Sequence, residues 1–181
     1  MKGVVFTEFL EMVEDKFGFE TADAIVVNSN LPSGGIYTSI GTYAHQEMIV
    51  LLQQLNLRTQ IPIPDLLRNY GQHLFSRFTE MYPVFFTHAK TAFEFLESIE
   101  NHIHTEVLKL YPDAELPKFE TTRKSENTLE MLYRSDRAMG HFAHGLIIGC
   151  LNYFDETADV KIEYLDDKGT MIQFLIVKTN E

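Results

Sequence analysis

The chain has 181 residues, 45% of them hydrophobic, and its 26 acidic side chains outnumber its 15 basic ones, for a formal net charge of −11. This length and apolar content predict one folded domain, or one domain in two lobes, and the acidic excess disfavours nucleic acids and anionic membranes as partners. No stretch approaches 18 consecutive apolar residues, and Glu8 stands where a signal peptide would be apolar, so we expect a cytoplasmic protein without a membrane span.

Helices dominate the predictions for the N-terminal half of the chain. Apolar side chains recur at steps of three or four from Val5 to Phe17, and Gly18 favours an end to this helix. A loop is predicted at 31–35, where a proline is followed by two glycines. The same helical spacing returns over 44–57 and predicts a second helix there.

Two further helices follow before the pattern changes. Pro62 and Pro64 favour the start of the third helix, because proline suits a first helical turn, and its apolar stripe runs to Phe78. Thr87 is a suitable N-cap for the fourth helix, which Pro112 ends.

The C-terminal part predicts strands. Alternating apolar residues indicate strands over 129–133, 160–164 and 171–177, and a turn at 166–169 joins the last two into a hairpin. An apolar stretch over 140–154 predicts one packed helix between them. We therefore expect an α+β fold in which a helical N-terminal lobe precedes a lobe with an antiparallel sheet and packed helices.

One candidate binding group consists of Tyr133, Ser135 and Arg137. Alternate side chains of an extended chain point the same way, so a phenol, a hydroxyl and a guanidinium would stand in a row. Such donors suit carboxylates or phosphates, because charge-assisted and bidentate hydrogen bonds are the strongest. The alternative is a half-exposed strand whose polar residues face water.

His102 and His104 are candidates for a ligand from the fourth helix. Residues two apart on a helix face different ways, so the two cannot easily chelate one metal ion. One of them could occupy a single axial position of a large cofactor, but the helical pattern does not choose between them. A histidine at the core boundary, bonded to a backbone carbonyl, is the alternative.

His141 and His144 form a third candidate, because residues three apart share a helix face. With a carboxylate from elsewhere they could hold zinc or non-haem iron, although a surface or partly buried pair without metal is the alternative. The single cysteine, Cys150, lies in an apolar helix and is typical of an inert structural thiol.

Together these features resemble the haem-nitric oxide/oxygen binding (H-NOX) family, which is related to the sensor domain of soluble guanylate cyclase. The resemblance covers essentially the whole chain and rests on the segments Ile103–Val107, Leu116–Pro117 and Tyr133–Arg137. It implies one haem-binding domain over 1–181, with a helical distal lobe at about 1–65, a proximal α/β lobe at about 66–181, and haem b between them. It implies no enzymatic activity.

The resemblance also assigns roles to individual residues. It makes His104 the axial ligand of the haem iron, and it places the two haem propionates on Tyr133, Ser135 and Arg137. Pro117 would press on the porphyrin and distort it. Further contacts to the cofactor are expected from Val5, Phe9, Leu74, Phe78, Phe142 and Leu146.

The expected gas ligands are NO and CO. Bound O2 needs a distal hydrogen-bond donor, which is a tyrosine in the O2-binding members of this family, and Phe142 stands at the matching position. We therefore expect a nitric oxide sensor without stable O2 binding, with Tyr70 as a rival donor. Many bacterial members carry a cysteine-rich zinc site, but Met139 replaces one of its cysteines, so no zinc is expected.

The resemblance further implies regulation of a separate protein. NO would break the bond between iron and His104 and free the fourth helix, Pro117 would cease to enforce the same haem distortion, and the lobes would shift. The partner would be a histidine kinase of a two-component system, or a diguanylate cyclase or cyclic-di-GMP phosphodiesterase. Two rival hypotheses remain at this point: a non-haem metalloenzyme that uses His141 and His144, and an interaction domain without a cofactor.

Overall fold

A computed structural model describes residues 1–179 of the chain. The N-terminal part contains four helices, which are α1 (Val4–Phe17), α2 (Phe19–Val27), α3 (His45–Thr59) and α4 (Ile63–Met81). Three of them follow the predicted pattern, and Gly18 ends α1 as expected, with a φ of 85°. Helix α2 has no counterpart in the predictions. Its side chains are buried mainly at Ala22 and Ile25, so its apolar stripe is short.

The predicted fourth helix consists of several shorter pieces. A 3-10 turn covers Pro83–Phe86, and α5 (Ala92–Ser98), a π-helical turn (Ile99–Ile103) and α6 (His104–Leu110) follow. The prediction that Thr87 caps this helix is wrong, since the hydroxyl of Thr91 accepts the hydrogen bond from the backbone N–H of Glu94. Thr87 instead donates to the carbonyl of Val84, because the 3-10 turn ends there.

The C-terminal part contains the sheet and its packed helix α7 (Gly140–Tyr153). The strands are β1 (Lys118–Ser125), β2 (Thr128–Arg134), β3 (Ala158–Tyr164) and β4 (Met171–Lys178). They form one antiparallel sheet in the order β1-β2-β4-β3, so β1 and β3 are its edges. Strand β1 is missing from the predictions because its residues are mostly polar and exposed, as an edge strand allows.

The buried side chains form two clusters that meet within α4. The first includes Phe6, Phe9 and Leu74, together with Met139, and the second begins at Phe75 and takes in the inner face of the sheet. The cores therefore change between two successive residues of one helix, further along the chain than the predicted lobe division near residue 65.

Helices α4 and α7 cross at very close range. An added Cβ at Gly71 would lie 2.3 Å from the carbonyl oxygen of Phe142, and one at Gly145 would lie 2.1 Å from that of Arg68. Only glycine lets the two backbones approach so closely. The observed architecture confirms the predicted α+β class. Within residues 1–179, no helix has the length and apolar character needed to cross a lipid bilayer.

Candidate cofactor site

A cavity of about 260 Å³ lies between two sets of elements. Helices α1, α4 and α7 provide one wall. A second wall is formed by the π-helical turn, by α6 and by the segment that leads into β1. Most of the lining side chains are aliphatic or aromatic, and the polar ones include His104, Tyr133, Ser135 and Arg137. This arrangement suits a large apolar ligand with a polar edge.

The cavity brings together ten of the eleven residues that the sequence predicts as cofactor contacts. These are Val5, Leu74, Phe78, His104, Pro117, Tyr133, Ser135, Arg137, Phe142 and Leu146. Phe9 is the exception, because its fully buried ring packs edge-on against Tyr70 at 5.1 Å between centroids. Phe9 therefore supports the wall from behind rather than lining it.

His104 faces the cavity from the first position of α6, and its side chain is only 14% exposed. Its Nδ1 lies 3.3 Å from Oε2 of Glu100, and its ring packs against Phe119 at 5.9 Å between centroids. Burial lowers the pKa of His104 below its usual range, an effect that Glu100 partly opposes. Burial therefore favours the neutral imidazole, which can offer a lone pair.

His102 lies elsewhere. Its ring packs edge-on against His88, with 5.3 Å between centroids, and it is not among the described residues that line the cavity. The tertiary structure thus distinguishes two histidines that the helical pattern left equivalent.

Tyr133, Ser135 and Arg137 all line the cavity, but not as three successive positions of a strand. Strand β2 ends at Arg134, Ser135 keeps one backbone hydrogen bond to Thr170, and Arg137 lies in the following turn. The expectation of an extended chain through Arg137 is therefore wrong. The turn is stabilised by the backbone N–H of Arg137, which donates to Oγ of Ser135.

Tyr133 and Arg137 have donor capacity left. The Tyr133 hydroxyl accepts from the backbone N–H of Met139 at 3.2 Å, and burial raises the pKa of Tyr133, so its proton stays available. The guanidinium of Arg137 contacts the exposed Glu115 carboxylate at 3.2 Å through one nitrogen. A guanidinium has five N–H donors, so Arg137 can bind a second carboxylate.

The cavity wall is apolar where Phe142 lies. The ring of Phe142 stacks on that of Tyr70 at 5.2 Å between centroids. The hydroxyl of Tyr70 donates to the backbone carbonyl of Val5, and this fully buried side chain is not among the lining residues. Tyr70, the rival donor considered from the sequence, is thus engaged within the core.

Several residues of the site have no counterpart in the sequence predictions. Glu100 contacts His104, and the hydroxyls of Tyr82 and Tyr111 are 3.0 Å apart at the rim. Lys2 and Asp113 form an ion pair at 3.1 Å nearby. Of these residues, only Glu100 could have been found from the sequence, because it lies four residues before His104. The Tyr82–Tyr111 and Lys2–Asp113 contacts join segments that are distant in the sequence.

The remaining candidates lie away from the cavity. His141 Nε2 bonds to the Tyr164 hydroxyl at 2.9 Å, and Nδ1 of His144 is buried without a partner in the part of the chain that the structure describes. No three histidine, cysteine, aspartate or glutamate side chains among residues 1–179 cluster as a metal site. Cys150 is fully buried, and burial raises the pKa of its thiol well above its usual value.

Comparison with known proteins gives one family and several solved structures. The family described as Haem-NO-binding matches residues 2–162. An unliganded Fe(II) H-NOX protein from K. algicida is 48% identical, with a TM-score of 0.95 and coverage of 100% of this chain and 98% of that one. The H-NOX from Shewanella woodyi, in its IWP-051-bound Fe(II)CO state, is 39% identical, with a TM-score of 0.85 and coverage of 99% and 95%.

A more distant structure shares the fold. The H-NOX protein from S. oneidensis in the Fe(II)NO state is 24% identical, with a TM-score of 0.92 and coverage of 99% of this chain and 100% of that one. A search of curated proteins gives no match.

Proposed function

The chain belongs to the Haem-NO-binding (H-NOX) family, and from that premise we propose that it is a haem-based nitric oxide sensor that acts on a separate signalling protein. The family binds haem together with gases such as NO and CO, and its members are sensor domains rather than enzymes. One observation carries the proposal. The neutral imidazole of His104 and the donors of Tyr133, Ser135 and Arg137 line the same apolar cavity.

The donor set fits haem b. A neutral imidazole is a suitable axial ligand of ferrous iron, and an uncharged phenol, a hydroxyl and a guanidinium suit two propionates. The side chains between these groups are apolar, as a porphyrin face requires. The chain has one cysteine, which is buried in α7, so the two thioether bonds of a c-type haem have no partners.

His104 would hold haem, whose ferrous iron would supply the chemistry that binds NO or CO, and we propose that NO binding releases His104 from the iron. Five residues of this chain would hold the cofactor. His104 would provide the protein ligand, Tyr133, Ser135 and Arg137 would bind the propionates, and Pro117 would contact the porphyrin.

The proposed preference for NO over O2 follows from the part of the cavity wall that contains Phe142. Bound O2 carries partial negative charge and depends on a hydrogen-bond donor, whereas NO and CO do not need one to the same degree. Phe142 has no donor, and the Tyr70 hydroxyl donates to Val5. We therefore expect NO and CO complexes but no stable O2 complex.

The release of His104 would be passed on through α6. No residue of this helix is buried, so it can shift at small cost to the core. A displaced α6 would present a changed surface to a cytoplasmic partner, for which we propose a histidine kinase, or a diguanylate cyclase or cyclic-di-GMP phosphodiesterase. NO can drive this change if it binds the protein with shifted α6 more tightly than the protein with α6 in its original position.

Visible absorption spectra of the purified protein test this function. We expect a Soret band that shifts on addition of NO or CO under reducing conditions and does not change to that of an O2 complex in air. His104→Ala should lose haem unless imidazole is supplied, while His102→Ala should keep it. Protein that stays colourless when haem is plentiful, or haem lost in His102→Ala and kept in His104→Ala, would contradict the proposal.

A further inference from the structure

Glu100 makes two hydrogen bonds with one carboxylate oxygen. Its Oε2 lies 3.3 Å from Nδ1 of His104 and 3.1 Å from the backbone nitrogen of Phe119. The backbone N–H of Phe119 donates to this oxygen, and the ring of His104 can donate to the same oxygen only through an N–H at Nδ1. The contact therefore favours the tautomer with the proton on Nδ1 and the lone pair on Nε2.

The π-helical turn Ile99–Ile103 sets this geometry. The backbone N–H of His104 donates to the carbonyl of Ile99, five residues earlier, instead of to the residue four back. π-helical turns are rare and are often found at functional sites. Here the turn lies between the cavity and β1, and it brings the Glu100 carboxylate to the histidine ring and to a strand at once.

The contact with Phe119 ties the histidine to the segment that contains Pro117. Phe119 is the second residue of β1, two positions after Pro117, and its ring packs on the imidazole. One carboxylate oxygen thus links two parts of the site that are distant in the sequence. A shift of His104 would break the hydrogen bond between Glu100 and His104 and leave the one between Glu100 and Phe119 in place.

A hydrogen bond from Nδ1–H to a carboxylate also changes the strength of the ligand. Partial transfer of that proton toward the carboxylate makes Nε2 more basic and strengthens its bond to a metal. A stronger bond between His104 and the iron would be harder for NO to break.

We propose that Glu100 is a positioning residue that fixes the tautomer of His104 and sets the strength of its bond to haem iron, and hence how readily NO releases it. This inference rests on the proposed function. Glu100 acts through His104 and does not itself line the cavity.

Resonance Raman spectra of the ferrous protein test the bond. Glu100→Gln keeps an acceptor oxygen but removes the charge, and Glu100→Ala removes both. The iron–imidazole stretching frequency should fall from the parent to Glu100→Gln and again to Glu100→Ala, and haem loss should become about 10-fold faster in Glu100→Ala. Glu106→Gln is the matched control, because Glu106 lies on the adjoining helix α6 but pairs with Lys109.

The same variants should change the response to NO in parallel. The fraction of NO complex that has lost the imidazole should rise as the stretching frequency falls. An unchanged frequency in both Glu100 variants would overturn the proposal, as would an equal change in Glu106→Gln.

Nitrogen NMR separates this inference from the proposed function. In histidine-labelled protein without haem, His104 should carry its proton on Nδ1 in the parent and in Glu100→Gln, and shift toward Nε2 in Glu100→Ala. The Phe119 amide should exchange faster only in Glu100→Ala. If the protein takes up no haem, the proposed sensor function is refuted, but the tautomer of His104 can still be measured. If Glu100→Ala leaves the tautomer unchanged, only the present inference is refuted.

Discussion

The two walls of the cavity are each stabilised by different interactions. The helical wall, formed by α1, α4 and α7, is packed through apolar side chains and through backbones that touch at Gly71 and Gly145. The ligand wall, residues 99–119, contains α6, in which no residue is buried. It is held by the hydrogen bond that the Phe119 N–H donates to Glu100, by the one between the Tyr82 and Tyr111 hydroxyls, by the ion pair of Lys2 with Asp113, and by a few partly buried apolar side chains.

The difference indicates which wall can move. Close-packed helices lose many contacts if they shift. Each hydrogen bond or ion pair, by contrast, contributes only about 1 kcal/mol to stability and can be replaced by hydrogen bonds to water. We therefore expect the helical wall to stay fixed while the ligand wall responds to the state of His104. The following experiments test that contrast.

The largest effect is expected from Gly145→Ala. The added methyl group would meet the backbone carbonyl of Arg68, so α4 and α7 must separate, and overpacking of this kind costs about 2–3 kcal/mol. The free energy of unfolding from urea denaturation should fall by that amount. Asn152→Ala, at an exposed position of the same helix, should change it by less than about 0.5 kcal/mol. Equal stability of the two variants would show that the glycine contact does not hold the helical wall.

Phe142→Tyr should alter the gas preference without moving the helical wall. A hydroxyl at this position supplies a donor to bound O2, and a hydrogen bond to a charged acceptor is worth about 1.5–3 kcal/mol, or roughly 10- to 150-fold in affinity. Spectra in air should then show an O2 complex that the parent lacks. Phe154→Tyr, at the end of α7, is the matched control. A stable O2 complex in the parent protein would refute the role assigned to Phe142.

Tyr82→Phe should loosen the ligand wall alone. The variant loses the hydrogen bond to the Tyr111 hydroxyl, worth about 1 kcal/mol, so amide exchange at the end of α6 should become about 5-fold faster. The exchange rates of α4 and α7 should stay unchanged. Tyr153→Phe provides the control, since the Tyr153 hydroxyl makes no hydrogen bond to the residues described. Faster exchange throughout the chain would mean that the two walls are not independent.

The smallest effect concerns His144 on the helical wall. Burial lowers its pKa to about 4, with Arg68 and His141 as further causes, while the unfolded chain keeps a value near 6.5. Between these values the unfolded state binds more protons, so the free energy of unfolding should fall as the pH drops from about 6.5 to about 4.

His144→Phe should make the free energy of unfolding less dependent on pH in this range. The change should be modest, because the ring is partly exposed and because the pKa values of His45, His73 and His141 are lowered as well. His88→Gln, at an exposed position, is the control. Urea midpoints at pH 7.5 and pH 5 provide the measurement, and an identical pH dependence in parent and His144→Phe would contradict the assignment.

Periodic apolar patterns predicted most of the helices and the C-terminal hairpin, because those elements bury a regular face. They failed where burial is slight. Strand β1 alternates little, since it forms an edge, and α2 has only two buried residues. Thr91 is followed three residues later by Glu94, the spacing of a capping box, whereas Thr87 is followed by Lys90 at that position, so the sequence does contain a signal for Thr91 that the apolar pattern overlooked.

The sequence by itself determined the chemical groups of the site: an imidazole in a helix, a phenol, a hydroxyl and a guanidinium at alternate positions, and a phenylalanine in place of a donor. The tertiary structure decided how they are used. It turned His104 rather than His102 toward the cavity, put Phe9 behind Tyr70, and brought the Glu100 carboxylate to the Phe119 amide. The physical reason is that side-chain chemistry is local, whereas burial and hydrogen-bond partners depend on segments that are brought together only by folding.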